Sequence, residues 1–204
     1  MDTLKTKNRD LSVKAKKLRR EGYVTGSLFG KKIEDSIPLL MEKSDVNKLL
    51  KDNNKGSKIT LEMEDGKKQM VLIKEIEYEF LKGNAMEISF QALVSDEVVK
   101  SVAEIVVEGA DDIKEGILQH EISEVSYSAL PADLVDKVVL DVSSLKPGDT
   151  IHVKDLDIAK NPKLSLHTDL EAVIVTVTVS RKAVEEEPAE EAAAEGEKEE
   201  AKAE

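Results

Sequence analysis

Ten cationic side chains in the first 33 residues are the part of this chain best equipped for chemistry. Lys5, Lys7, Arg9, Lys14, Lys16, Lys17, Arg19, Arg20, Lys31 and Lys32 are opposed there only by Asp2, Asp10 and Glu21, so the segment carries +7 in a chain of net −12. The densest stretch is Lys14 to Gly30, KAKKLRREGYVTGSLFG. Cations set beside phosphates supply sequence-independent affinity for nucleic acid, and their clustering counts for more than the total. The chemistry on offer is charge neutralisation, not bond making.

Other residue types offer less. His120, His152 and His167 have no HxH or HExxH spacing and no nucleophile pattern beside them, and no GxxxxGK[ST] or GxGxxG phosphate loop occurs. His152, between Ile151 and Val153, reads as a solvent-facing side chain on a strand. Asp111, Asp112 and Glu115 lack the ligand number and spacing of a calcium loop, so a solvated turn is expected. There is no cysteine, which excludes disulfides and thiolate metal sites and fits a reducing compartment. The chain is therefore expected to be non-catalytic, with no cofactor and no metal. Three Phe, three Tyr and no Trp are too few for a stacking platform along single-stranded nucleic acid.

The elements that position the cations follow from periodicity. Ser12 to Arg20 reads as a short helix capped by Ser12, with Gly22 where a C-terminal glycine belongs. Its apolar positions are few, so a merely solvated surface helix is the alternative reading. Gly26 to Gly30 and Ile37 to Met41 read as strands. A second helix is expected over Ser44 to Leu50, with Ser44 as N-cap and Gly56 closing the region. Ile59 to Glu64 alternates, Asp65-Gly66 signals a type I′ hairpin, and a strand from Met70 continues through Ile76, Tyr78 and Phe80. Lys82-Gly83-Asn84 then turns the chain into Met86 to Phe90. Five or so antiparallel strands with two small helices give a barrel.

Beyond this, Val102 to Glu108, Ile117 to Tyr127, Val138 to Val142, Ile151 to Val153 and Ala172 to Val179 are strand candidates, punctuated by Pro131, Lys146-Pro147-Gly148-Asp149 and Asn161-Pro162. The fold class is mainly β: an N-terminal antiparallel β-barrel with short helices, a C-terminal β-sandwich or barrel, and a disordered acidic tail. Boundaries are placed at residues 1–94, 95–182 and 183–204. Charge divides similarly. Residues 1–95 hold 19 Lys/Arg against 15 Asp/Glu, residues 96–182 hold 9 against 17, and residues 183–204 hold 2 against 10. The tail reads as a solubilising segment, or alternatively as a polyanion that meets a partner. The N-terminus lacks the apolar run of a secretory signal, and no stretch approaches the ~20 apolar residues of a membrane span, so a cytoplasmic protein without membrane contact is expected.

The segment LSVKAKKLRREGYVTGSLFG resembles the opening of the bacterial large-subunit ribosomal proteins that bind 5S rRNA, in which a basic helix ends in Leu-Arg-Arg before a glycine and a strand. EDGKKQMVLIKEIEYEFLKGNAMEISFQAL is similar to that family's barrel hairpin. ADDIKEGILQHEI and LPADLVDKVVLDVSSLKPGDTIHVKDL are similar to the C-terminal half of its long two-domain form, the general stress protein or CTC type. The resemblance implies a ribosome-associated protein of the large subunit whose barrel grips 5S rRNA and whose C-terminal domain meets neighbouring ribosomal proteins. It places RNA contacts on Arg9, Arg19 and Arg20, with Lys14, Lys16 and Lys17 on the same helix and Phe29, Glu87 and Ser89 lining the groove-facing surface. Three of these depart from the family pattern. Phe29 stands for a tyrosine, and Glu87 and Ser89 stand for the His and Asp of a His-x-Asp-Phe strand. Losing good hydrogen-bonding contacts costs roughly 1–3 kcal/mol each. A second reading follows from them: a divergent stress-related paralogue acting as a protein-interaction module.

Overall fold

In the computed structural model, residues 2–110 and 116–178 are described. The first half forms one seven-stranded sheet, made from β1 (Thr3–Lys5), β2 (Lys7–Asn8), β3 (Tyr23–Gly30), β4 (Ile33–Glu42), β5 (Lys58–Glu62), β6 (Lys68–Tyr78) and β7 (Ala85–Ala92), with α1 (Ala15–Arg20) and α2 (Lys43–Asp52). The strand order is β1-β5-β6-β7-β3-β4-β2. The two outermost strands are consecutive in the chain, so one N-terminal segment pairs with β5 through Thr3–Lys5 and with β4 through Lys7–Asn8. The residue at the crossover, Thr6, is buried and donates its N–H to Glu62 O at 2.9 Å. That arrangement nearly closes the sheet into a barrel and leaves little free edge. Most pairings are antiparallel, but β1–β5 and β3–β7 are parallel. Alternate residues point inward: Val24 and Leu28 of β3, Ile88, Phe90 and Ala92 of β7, and Leu39 and Met41 of β4 share one core, with Val46 and Leu49 of α2.

The second β-domain has two sheets. β8 (Val99–Glu108), β10 (Glu124–Ala129), β11 (Lys137–Asp141) and β13 (Ser165–Leu166) form one, and β9 (Ile117–His120), β12 (Thr150–His152) and β14 (Val173–Thr178) form the other. Ala103, Ile105, Val125 and Tyr127 from the first meet Ile174 and Val175 from the second in a single core. The Tyr127 hydroxyl lies in this core, donating to Val135 O and accepting from Val135 N, both at 2.8 Å. Tyr127→Phe keeps the ring but strands both backbone groups. We expect it to destabilise the protein by about 2 kcal/mol, read as a lower urea midpoint with unchanged slope.

Several local expectations are corrected. Ser12 does not cap α1. Its N–H and hydroxyl both bond to the Asp10 carboxylate, at 2.8 and 2.7 Å, in a turn before the helix, and Lys14 occupies the N-cap. Ser44 lies inside α2, whose N-cap is Glu42, and the helix ends at Asn53 rather than Gly56. The Asp65-Gly66 hairpin exists but is not type I′, because only Gly66 has positive φ (77°). Gly66 N bonds to Met63 O and Met63 N to Lys67 O, which makes a type I turn with a bulged glycine. Strand β6 stops at Tyr78, so Phe80 is 98% exposed instead of extending the alternation. Ile117 to Tyr127 is two strands rather than one, and Val153 opens a 3-10 turn. The expected acidic tail and the turn at Asp111, Asp112 and Glu115 lie outside the described residues.

Polar contacts join barrel and second domain. Lys74 Nζ donates to Lys100 O at 2.9 Å, Lys58 Nζ to Pro131 O at 3.1 Å, Asn54 Nδ2 to Glu104 Oε2 at 2.6 Å and Ser101 Oγ to Gly56 O at 3.4 Å. Lys55 pairs with Glu124 at 3.3 Å. Burial, with Lys55 and Lys100 nearby, holds the Lys74 ammonium below its ordinary pKa. Part of the positive charge of the first half is thus committed to the acidic second half.

Candidate nucleic-acid interface

Helix α1 is short and is held by one buried residue, Leu18, which fixes its orientation on the barrel. Lys14, Lys16, Lys17 and Arg20 are exposed around it, and Arg19 is half-buried. Helical geometry puts Lys16, Arg19 and Arg20 on one side, three and four residues apart. Lys17 faces elsewhere and lies 3.9 Å from Glu21, both solvent-accessible. Arg19 reaches Met86 of β7, its Nη1 lying 3.3 Å from Sδ, and its Nε is buried without a partner. That contact pins the guanidinium at the start of β7.

Two further cations arrive from distant sequence. The backbone N–H of Lys43 bonds to Gly22 O at 3.0 Å, which ties the start of α2 to the loop after α1. The turn between β6 and β7 brings Lys82. Together with Lys16, Arg19, Arg20 and Tyr23, these residues line a groove of about 630 Å³ floored by Asn84, Ala85 and Met86. Glu79 is the one carboxylate among its lining residues, and Lys82 sits 3.5 Å from it. Five cations converging on a concave surface focus a positive potential over the groove. Arginine adds a planar fork that grips phosphate oxygens in pairs.

The remaining sequence-derived positions lie elsewhere. Arg9 follows β2, its N–H bonded to Pro38 O at 3.0 Å and its Nε buried without a partner. Phe29, Glu87 and Ser89 sit on the outer face of the β3–β7 pair, where Thr25 is in register with Glu87, Ser27 with Ser89 and Phe29 with Gln91. The Ser27 and Ser89 hydroxyls are 3.3 Å apart. Across to β6, Glu75 is in register with Ser89 and Glu77 with Glu87. Like charges directly opposite each other are unfavourable in a sheet. This face is therefore acidic, while the groove at the end of the barrel is basic. Lys43 and Lys82 had no signal in the sequence beyond being lysines at an element start and in a turn.

The Ribosomal L25p family profile matches residues 4–90, and that of the ribosomal protein TL5 C-terminal domain matches residues 98–181. The chain is 33% identical over 185 residues to the large ribosomal subunit protein bL25 of Caldanaerobacter subterraneus subsp. tengcongensis, covering 89% of this chain and 92% of that protein. The chain belongs to the bL25 family. The bL25 of a Thermoanaerobacter species is 32% identical over 84% of the chain and 85% of its own length. That of Dictyoglomus thermophilum is 31% identical over 92% and 94%. Because both profiles match in sequence order, the chain has the long, two-part form of the bL25 family. This is a family of structural ribosomal proteins, not of enzymes. No helix among the described residues is long and apolar enough to cross a membrane.

Proposed function

We propose that this chain is a structural constituent of the large ribosomal subunit and that its basic groove binds 5S rRNA. The observation that carries this reading is the convergence of Lys16, Arg19, Arg20, Lys43 and Lys82 on one groove of a bL25-family barrel. Relatives across most of the chain's length are named as large ribosomal subunit proteins, which supports assembly there and hence a cytoplasmic location. Backbone contacts position such a protein on RNA, and rigid Arg and Lys groups suit shape-based recognition of a helix through its phosphates and 2′-hydroxyls. Arg9, Lys14 and Lys17 extend the cationic margin. Phe29, Glu87 and Ser89 border the RNA on the sheet face. The boundary we place after residue 94 falls between β7, ending at Ala92, and β8, beginning at Val99. The second domain is left for neighbouring ribosomal proteins.

A gel-shift titration against 5S rRNA and an unrelated RNA duplex, at several salt concentrations, tests this. Replacing Arg19 and Arg20 together by Ala should weaken 5S rRNA binding about tenfold or more and reduce the salt slope by about two. Unchanged affinity in that variant would remove these residues from the site. The acidic face formed by Glu75, Glu77 and Glu87 favours a second reading, a paralogue that meets protein partners. Equal affinity of the unaltered chain for 5S rRNA and for the unrelated duplex would select it.

A further inference from the structure

One apolar feature is left over by the fold. The turn between β6 and β7 presents Phe80, 98% exposed, and Leu81, 89% exposed, side by side in water. Isolated exposed apolar residues are ordinary, but a whole aromatic ring held clear of every neighbour is not. The turn does not need it. Glu79 N bonds to Asn84 O at 2.7 Å, Gly83 N to Glu79 O at 2.8 Å and Lys82 N to Glu79 O at 3.2 Å, so the backbone closes on itself without help from either side chain. Those same bonds make the turn a firm mount. Phe80 and Leu81 stand between Glu79 and Lys82, both of which line the basic groove.

We propose that Phe80, with Leu81 beside it in the turn, is a stacking platform for a single unpaired nucleotide of an RNA whose backbone lies in the adjacent groove. This rests on the RNA-binding reading above and adds to it a preference for unpaired bases. Charge complementarity selects the occupant. An apolar protein knob could cover the ring, but the five cations beside it call for a polyanion. A nucleic acid offers phosphates and flat apolar faces spaced one nucleotide apart, and the reading above makes it RNA. A base leaving its helix presents such a face, and its own phosphate remains within reach of Lys82. Base–aromatic stacking tolerates any sequence, because each base has a π-face, so the contact reads the unpaired state rather than base identity. One ring is too little to hold single-stranded RNA alone. It acts with the groove.

The test uses the full chain and three RNAs: 5S rRNA, a perfect duplex, and the same duplex with one bulged nucleotide inserted. Phe80→Ala should lower affinity for 5S rRNA about tenfold, within the range known for one base stack, while leaving the salt slope unchanged. It should also abolish a preference of the unaltered chain for bulged over perfect duplex. Phe80→Trp should retain that preference. With 2-aminopurine at the bulge, binding of the unaltered chain should quench its fluorescence, and Phe80→Ala should not. The variant changes a fully exposed side chain, so its thermal midpoint should match the parent. Lack of bulge preference in the unaltered chain, or its survival in Phe80→Ala, overturns the proposal and hands the apolar tip to a protein partner. Failure of 5S rRNA binding alone overturns only the reading beneath it, since the paired duplexes still report on stacking.

Discussion

Replacing Gly56 by Ala should cost the protein about 3 kcal/mol or more and loosen the second domain from the barrel. Gly56 sits at φ +90° just before β5, and a β-carbon built there would lie 1.9 Å from Val102 O and 3.1 Å from Val102 C. These are backbone atoms inside β8, where Val102 is in register with Ser126 of β10, so they cannot swing aside as a side-chain tip would. Gly56 is itself fastened, its N–H to Ile73 O at 2.8 Å and its carbonyl accepting from Ser101 Oγ. Two penalties add: the strain of a side chain at positive φ, and overpacking of a close backbone contact. Gly22→Ala separates them. Gly22 has nearly the same φ, +92°, but nothing within 4 Å of its β-carbon position, so it should lose only the strain, about 1 kcal/mol. Urea unfolding of both variants measures the difference. Proteolysis between Ala92 and Val99 should accelerate in Gly56→Ala alone. Equal losses in the two variants would show that the joint yields freely.

That joint explains part of what the sequence left hidden. Alternation in Ile59 to Glu64 and Met86 to Phe90 places β5 and β7 within a few residues, because a half-buried strand must repeat every two positions. The same rule fails at Phe80. The pattern runs on past Tyr78, yet the chain turns there, since the hydrogen bonds of Glu79 and Asn84 close the hairpin regardless of what Phe80 is. Gly56 misleads in a similar way. It reads as a helix stop, but Asn53 ends α2 by itself, its N–H and side-chain amide both bonding to Leu49 O at 3.1 Å, and the glycine serves a contact 45 residues away. Ser12 and Ser44 have the right residue type for caps but lose to Asp10 and to an earlier helix start. Propensity sees neighbours in sequence, whereas these positions are set by neighbours in space.

The basic site shows the same division. Lys16, Arg19 and Arg20 were legible because helical spacing alone puts them together. Net charge overstated the rest: Lys55, Lys58 and Lys74 belong to the same positive half but face the second domain. Lys43 and Lys82 were invisible as site residues, since only the bond between Lys43 N and Gly22 O and the pairing of β6 with β7 bring them to α1. The acidity of the outer sheet face was half legible. Glu87 stood out against the family pattern, while its alignment with Glu77 depends on a register shift between Ile73 and Glu75 that no periodicity announces.

Reversing the two cations that the fold supplies should have the largest effect on binding. With Lys43→Glu and Lys82→Glu combined, affinity for 5S rRNA should fall roughly a hundredfold, more than for Arg19 and Arg20 replaced by Ala, because two attractions become repulsions inside a groove that concentrates the potential. The fold should tolerate both changes. Lys82 is exposed, and its pair with Glu79 is a solvent-accessible contact of small worth. Lys43 opens α2, where a carboxylate is favourable beside the N-terminal end of the helix dipole. Lys48→Glu with Lys51→Glu is the matched control, changing net charge equally on two exposed positions of the same helix outside the groove lining. At physiological salt, screening over about 8 Å confines strong effects to cations near the phosphates, so the control should stay within about threefold of the parent. Parallel gel-shift titrations decide it. Equal losses in the two double variants would mean that overall charge, and not this groove, holds the RNA.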